Sequence, residues 1–414
     1  MGVVYEAIEK ASGARVALKM LPAADPHALF GFKNEFRSLA ALIHPNLVSL
    51  YELVSENETW FFTMELVDGV DFLSHVRRDA RPGGRTVFAD LVDEEKLRHV
   101  LLQLADGMEA LHGNGVLHRD IKPPNVLVRR DGRVAILDFG LAIALGEALD
   151  TSEHSSGTLA YMSPEQLGGD PLGPPSDWYA IGTMLYEALT GRSPFEGSPQ
   201  QMFFAKAAGA VKSPRELVKD VPPDLEALCL QMLHPDPALR PDAMDVRLRL
   251  TREASPSDPG PRHDRDTRAF RLFVGRDDLL QRLESALEAV RSGAGATTAY
   301  VHGRSGAGKS ALLEQFLIDA RQDESVVVFS GRCYEQESVP FKAVDSIVDA
   351  MTRWLLRRGD AEIDGLLPPD VVTLARIFPV LDRVPAIADA PRDALQVPEP
   401  RELRRRAFRA AGAR

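Results

Sequence analysis

Cysteine is nearly absent: Cys229 and Cys333 are the only two in 414 residues. So few thiols exclude a disulfide framework and a zinc site built on several thiolates, and they fit a reducing compartment. Long apolar runs are missing as well. No stretch reaches the ~18 residues that a membrane-spanning helix requires, and no secretory leader pattern opens the chain. The expectation is therefore a cytoplasmic protein with no membrane partner. Nor is there an excess of positive charge. Lys and Arg number 49 against 60 Asp and Glu, a formal net charge of −11, which argues against nucleic acid as a partner. What is present is ordinary for a globular protein, with 44% hydrophobic and 26% charged residues. The length suits roughly two to four structural units.

The clearest seam is REASPSDPGPRHDRDTRAF, residues 252–270, with three prolines, many charges and almost no apolar side chains. Such a segment cannot bury itself and reads as a solvated linker. RRDARPGGRT, around Pro82 to Arg85, reads as a surface loop. The six arginines of residues 401–414 read as a solvated helix face. Before the seam, short β-type runs come first. VVYEAI and RVALKML read as strands around the turn KASGA, Lys33 to Ile43 as a helix, and LVSLYEL and WFFTMEL as two further strands. From Glu94 the pattern turns helical, with Leu97, Val100, Leu101, Leu104, Met108 and Leu111 on one face. A small β-rich lobe thus precedes a larger helical one.

Chemistry concentrates in two nearby stretches, HRDIKPPNVLV from His118 and ILDFG from Ile136. They present Asp120, Lys122, Asn125 and Asp138, the last at the end of a strand. Carboxylate and amide oxygens are the hard ligands that Mg²⁺ takes alongside phosphate. A further carboxylate could orient an attacking hydroxyl and accept its proton. Upstream, Lys19 lies within a strand, and Glu35 on the following helix could hold its ammonium by an ion pair.

On these motifs the chain resembles the bacterial eukaryotic-type (Hanks-type) serine/threonine protein kinases. HRDIKPPN is similar to their catalytic loop, DFG stands unchanged, VALK is similar to V-A-I-K, and SPE at Ser163 to Glu165 stands where they carry A-P-E. The resemblance covers about residues 1–250. It implies an α+β bilobal kinase fold and transfer of the γ-phosphate of ATP to protein Ser/Thr hydroxyls with Mg²⁺. Asp120 would then be the base, Lys122 would stabilise the transferring phosphoryl group, and Lys19, paired with Glu35, would hold the α- and β-phosphates. Asn125 and Asp138 would bind the metal. Gly2, Val4 and Ala17 would line the nucleotide site, Met64 would be the gatekeeper, and Glu65 to Val67 the adenine-binding hinge. Glu165 would pair with Arg240. Thr151, Ser152, Ser155, Ser156 and Thr158 are candidates for activating phosphorylation beside Arg119, Thr158 rather as a substrate-positioning residue. His118 and Cys229 read as core.

One departure concerns the family's phosphate-covering loop, G-x-G-x-x-G-x-V, of which only Gly2 and Val4 are present in MGVVYEA. The resemblance implies that a first strand and part of this loop are lacking, that Met1 stands at an internal position, and that ATP binds poorly to the chain as written.

Beyond residue 270, FVGRDDLLQRLESALEAVRSG reads as a short entry and an amphipathic helix. In TTAYVHGRSGAGKSALLEQFLIDA, Gly303, Gly308, Lys309 and Ser310 satisfy G-x-x-x-x-G-K-[ST], with Gly306 inside the loop. An apolar β-type run, Ala299 to His302, precedes it and a helix, Ser310 to Ala320, follows. Loop amides at that helix start would cradle phosphates, Lys309 would reach the β- and γ-phosphates, and Ser310 would contact Mg²⁺. This part resembles the AAA/STAND-type P-loop ATPase modules, an α/β fold, and self-association through it is an expectation of that resemblance. No Walker B strand is evident, because IFPVLD ends at Asp382 but contains Pro379. The expected organisation is a kinase domain over 1–250, a linker over 251–270 and an incomplete ATPase domain over 271–414. An alternative from another class is a nucleotide-binding scaffold in which neither site does chemistry.

Overall fold

The computed structural model describes residues 3–251 and 276–390, with short breaks at 11, 22–24, 41, 57–58, 79–86, 139–142, 145–155, 294, 305–306, 324, 360–361, 364 and 369–370, together with 405. The chain divides into two compact units, one of residues 1–256 with 332–414 and one of residues 257–331. The division is thus not linear along the chain. The 252–270 seam, the 82–85 loop and most of residues 401–414 lie outside the described residues.

In the first unit, strands β1 (Val3–Ile8) and β2 (Arg15–Leu21) form a hairpin. Its turn closes through Glu9 N–H to Ala14 C=O at 2.8 Å. Strands β3 (Leu50–Glu56) and β4 (Thr59–Glu65) form a second hairpin, and the sheet order is β1-β2-β4-β3-β10, where β10 is Glu337–Ser338. β3 begins three residues later than the sequence pattern suggests. Leu47 and Val48 are drawn away to the larger lobe, where Val48 N–H bonds the Ile136 carbonyl and Ile136 N–H bonds that of Asn46.

The helix of the small lobe is Pro26–Leu39, not Lys33 to Ile43. Asp25 caps it, accepting from Ala28 N–H at 2.9 Å, and Pro26 suits its first turn. Its end at Leu39 is closed by Ala40 N–H bonding the Phe36 carbonyl at 2.9 Å, and Pro45 further on disfavours helical backbone at His44. Leu29, Phe32 and Phe36 pack under the sheet with Leu53, Trp60 and Phe62.

The larger lobe is built on helices Glu94–Gly113 and Pro174–Thr190. The first buries the six apolar residues expected from their spacing. The second is buried nearly all round, and Gly182 lets it approach helix Pro223–Met232 closely. A Cβ at Gly182 would fall 2.6 Å from that of Met232. Cys229, in this interface, is fully buried, as expected. Short strands β5 (Gly69–Asp71), β7 (Val126–Arg129) and β8 (Val134–Ile136) form one sheet, and β6 (Val116–Leu117) pairs with β9 (Ile143–Ala144). Among the described residues no helix is long and apolar enough to cross a membrane.

The second unit contains helices Asp277–Arg291 and Lys309–Ala320. Ala299 to His302 is not a strand. The sequence pattern is β-type, but the segment has no ladder partner among the described residues, and Tyr300 is 85% exposed. Without a neighbouring strand its backbone groups stay with solvent.

Candidate active site

Register in the small sheet sets the upper half of the site. β2 alternates so that Ala17 and Lys19 share one buried face. Val4 stands opposite Lys19 on β1, and Met64 opposite Ala17 on β4. Lys19 Nζ lies 2.6 Å from Glu35 Oε1 and also bonds an Asp138 carboxylate oxygen. One ammonium therefore joins the sheet, the Pro26–Leu39 helix and the end of β8. Burial works against this ammonium, but the two carboxylates outweigh it and hold its pKa up. Burial also pushes the Glu35 carboxyl up to about 7, against the pull of Lys19.

The lower half is a loop between β6 and β7. Asp120 is 6% exposed. Its carboxylate lies 2.8 Å from Lys122 Nζ and accepts from Asn125 Nδ2 at 3.2 Å. Asn125 Nδ2 also donates to the Asp120 carbonyl at 2.8 Å. The amide nitrogen of Asn125 is thus committed to Asp120, which leaves its oxygen as the end suited to a cation. Lys122 Nζ reaches Thr158 Oγ1 at 3.3 Å. Asp138 follows β8 with φ +58°, a left-handed turn that an L-residue adopts only where surrounding structure holds it. Burial opposes the ionised Asp138, but Lys19 keeps its carboxyl below the usual range.

The loop rests on a residue that sequence reasoning missed. Asp177, 1% exposed, accepts from the backbone N–H of His118 at 3.0 Å and of Arg119 at 2.7 Å, and meets His112 Nε2 at 2.8 Å. Arg119 sits at φ +66°, so Asp177 pins a backbone conformation that disfavours most side chains. Gln166 adds a bond to the Arg119 carbonyl at 2.9 Å. The one available signal was a carboxylate in the otherwise apolar run DWYAIGTMLY. His118 is fully buried, with Nε2 2.9 Å from the Leu137 carbonyl, and burial lowers its pKa. That is the core role expected of it.

Below the loop, Arg240 and Glu165 form a bidentate pair at 2.6 and 2.9 Å, the pairing expected from the SPE stretch. Lys206, also unanticipated, donates to the carbonyls of Leu159, Ala160 and Met162 at 2.9, 2.8 and 2.6 Å. Burial pulls its pKa down to about 7.

The expected nucleotide-side residues fare unevenly. Glu65 is turned to Arg129 at 2.7 Å, Val67 is partly buried against the main core, and Gly2 lies outside the described residues. So do Thr151, Ser152 and Ser155. In the second unit, Gly308 has φ +75° at the start of helix Lys309–Ala320. Lys309 Nζ folds back to the carbonyls of Gly303 and Arg304 at 2.9 and 3.0 Å, and Ser310 occupies the first turn. Gly306 lies outside the described residues. The residues around Asp382 form a short 3₁₀ helix, Pro379–Arg383, consistent with the absence of a strand there.

The donor set fits Mg²⁺. Asn125 and Asp138 supply hard oxygens from two converging loops, and such a site takes its remaining ligands from phosphates and water. Among the described residues no larger acidic or His/Cys cluster could hold a metal.

Glu35 gives a testable pH dependence. Its folded-state pKa lies above the ordinary 4.5, so its contribution to stability is complete below pH ~4.5 and is lost as pH rises towards about 7. Urea unfolding of the ligand-free chain between pH 4.5 and 8 should show wild-type stability falling relative to Glu35→Gln up to pH ~7, then running parallel. Parallel curves throughout would mean that Glu35 has the same pKa folded and unfolded, and wild-type stability rising with pH would mean that Lys19 holds it ionised.

Comparison with known proteins bears on the family of the chain. The chain is 32% identical over 256 residues to a probable serine/threonine-protein kinase of Streptomyces coelicolor, covering 59% of this chain and 37% of that protein. It is 34% identical over 252 residues to serine/threonine-protein kinase PknA of Mycobacterium tuberculosis, covering 58% and 55%. It is 33% identical over 242 residues to serine/threonine-protein kinase PrkC of Bacillus subtilis, covering 57% and 36%. The chain thus matches roughly a third to a half of the length of these relatives. The AAA ATPase domain family matches residues 272–411. The protein kinase domain family matches residues 1–248, well over half of the chain, and this protein is a member of that family with an AAA ATPase domain behind it.

Proposed function

We propose that the chain is a serine/threonine protein kinase that transfers the γ-phosphate of ATP to a protein hydroxyl in bacterial signal transduction. The observation that carries this reading is that Lys19 bonds both Glu35 and Asp138, while Asp120 is held by Lys122 and by Asn125, whose backbone carbonyl bonds the Leu137 amide next to Asp138. Lys19, held by Glu35, is the cation for the α- and β-phosphates. Met64, Ala17, Val4 and the Glu65 to Val67 stretch would serve the nucleotide side, and Gly2, outside the described residues, is assigned there from the sequence alone. Asp120 accepts the proton of the substrate Ser or Thr hydroxyl as its oxygen attacks the γ-phosphorus and ADP departs. Lys122 balances charge on the transferring group. Asn125 and Asp138 would hold Mg²⁺, which neutralises phosphate charge when bound.

In the P-loop unit, Gly303, Gly308, Lys309 and Ser310, with Gly306 from the sequence, would form a second, regulatory nucleotide site; Ser310 would contact Mg²⁺ there, and self-association would be its output. By sequence family the domains would run over 1–250, 251–270 (linker) and 271–414, although residues 332–414 group with residues 1–256 in one compact unit. A cytoplasmic setting accords with two cysteines that are both free. The test is incubation with Mg²⁺, radiolabelled ATP and an unstructured Ser/Thr-rich protein. Label on Ser or Thr supports the reading. No label supports the scaffold alternative, and label on Tyr alone would contradict the Ser/Thr assignment.

A further inference from the structure

On helix Pro26–Leu39, Phe30, Lys33 and Arg37 fall at i, i+3 and i+7 and form one stripe. Glu35 is two residues from both Lys33 and Arg37. At about 100° per residue it therefore projects from the far side, where it meets Lys19. The stripe is not solvated. Lys33 is 1% and Arg37 8% exposed, and both are covered by a segment about 300 residues later. Lys33 Nζ lies 2.8 Å from Asp345 and 2.9 Å from Asp349. Arg37 reaches Asp345 and Asp349 at 2.6 Å each and also bonds Glu337. Phe30 packs into an apolar cluster with Val348, Leu355, Phe378 and Leu381. The same segment supplies β10, whose Glu337 and Ser338 pair with Leu53 and Val54 of β3 and so cap the sheet edge. Helix Lys342–Leu356 carries Asp345 and Asp349 at i, i+4, matching the spacing of Lys33 and Arg37.

We propose that the Phe30/Lys33/Arg37 face of the kinase helix is a docking surface whose occupant is this chain's own acidic segment, Glu337 to Leu381, and that docking holds Glu35 against Lys19. Three buried carboxylates face two buried cations across this interface. An array of this kind is specific, because leaving either side unpaired strands charge in a dry contact. The segment lies within the AAA ATPase match, so the second domain would contribute a built-in activating element to the first. This inference rests on the kinase reading for its catalytic consequence but not for the docking itself.

The test uses the full chain, wild type against Asp345→Lys/Asp349→Lys, with amide hydrogen exchange and phosphoryl transfer measured on the same samples. Exchange in Pro26–Leu39 and Lys342–Leu356 should rise together by at least ~10-fold, phosphoryl transfer should fall by about as much, and helix Pro174–Thr190 should keep its protection. Arg37→Gln, run in parallel as the milder variant, should shift both segments in the same direction. Release of Lys342–Leu356 with Pro26–Leu39 still protected would overturn the holding role. No change in either segment, in either variant, would overturn the docking. Joint release in a protein whose wild type transfers no phosphate would support the docking and remove the kinase reading alone.

Discussion

Asp120→Asn should lower the phosphoryl-transfer rate roughly 10²–10⁴-fold, the range for removing a positioned general base. Folding should be little altered. The loop is held from below by Asp177 through the His118 and Arg119 amides, and the Asp120 carbonyl keeps its bond from Asn125. The substituted amide is nearly the same size but cannot take the substrate proton. The loss should therefore fall on turnover, with the KM for ATP nearly unchanged, because Asp120 touches neither Lys19 nor Glu35. Steady-state kinetics with varied ATP separates these quantities. A variant with unchanged turnover would remove Asp120 from the role of base.

The largest stability effect should come from Arg240→Ala. This guanidinium has no exposed side-chain surface. Besides its two bonds to Glu165 it donates to the carbonyls of His234, Pro175 and Pro235 at 2.8, 3.0 and 3.0 Å. It also lies over the Tyr179 ring at 4.9 Å. Truncation leaves the Glu165 carboxylate buried with Ser176, at 2.7 Å, as its one remaining side-chain partner among the described residues. Breaking a buried pair in this way costs about 3–5 kcal/mol. At roughly 2–4 °C per kcal/mol for a domain of this size, the apparent Tm should fall by about 6–20 °C, measurable by thermal unfolding followed by circular dichroism. A fall under about 2 °C would mean that the ion pair and its carbonyl bonds contribute almost nothing net.

The parts of the site written contiguously were legible. HRDIKPPN and ILDFG place Asp120, Lys122, Asn125 and Asp138 on two loops joined by a short hairpin, so local sequence fixes most of their approach. Lys19 and Glu35 were legible because strand alternation and a following helix bring them face to face. Glu165 and Arg240 came from the resemblance alone. Asp177 was harder, since its task is to hold backbone amides 58 and 59 residues away, and an acid near a helix start reads as capping. Lys206 looked like an ordinary helix lysine, because nothing local says that three carbonyls will converge on it. The docking of Lys33 and Arg37 was invisible for the same reason in stronger form: Lys33 and Asp345 are 312 positions apart. The strand expected at Ala299 to His302 failed because an apolar run gives only propensity, while a strand also needs a partner. The late start of β3 reflects tertiary competition for Leu47 and Val48.

The proposed phosphoryl transfer needs Mg²⁺ held by Asn125 and Asp138 beside Lys19. Transfer of label from γ-labelled ATP to a Ser/Thr protein, measured for wild type and Asp138→Ala at equal folded concentration, tests this most directly. Incorporation by the wild-type chain should depend on added Mg²⁺ and drop to background in Asp138→Ala. Equal incorporation by both proteins would contradict it, because chemistry would then proceed without the carboxylate on which Lys19 and the metal site converge.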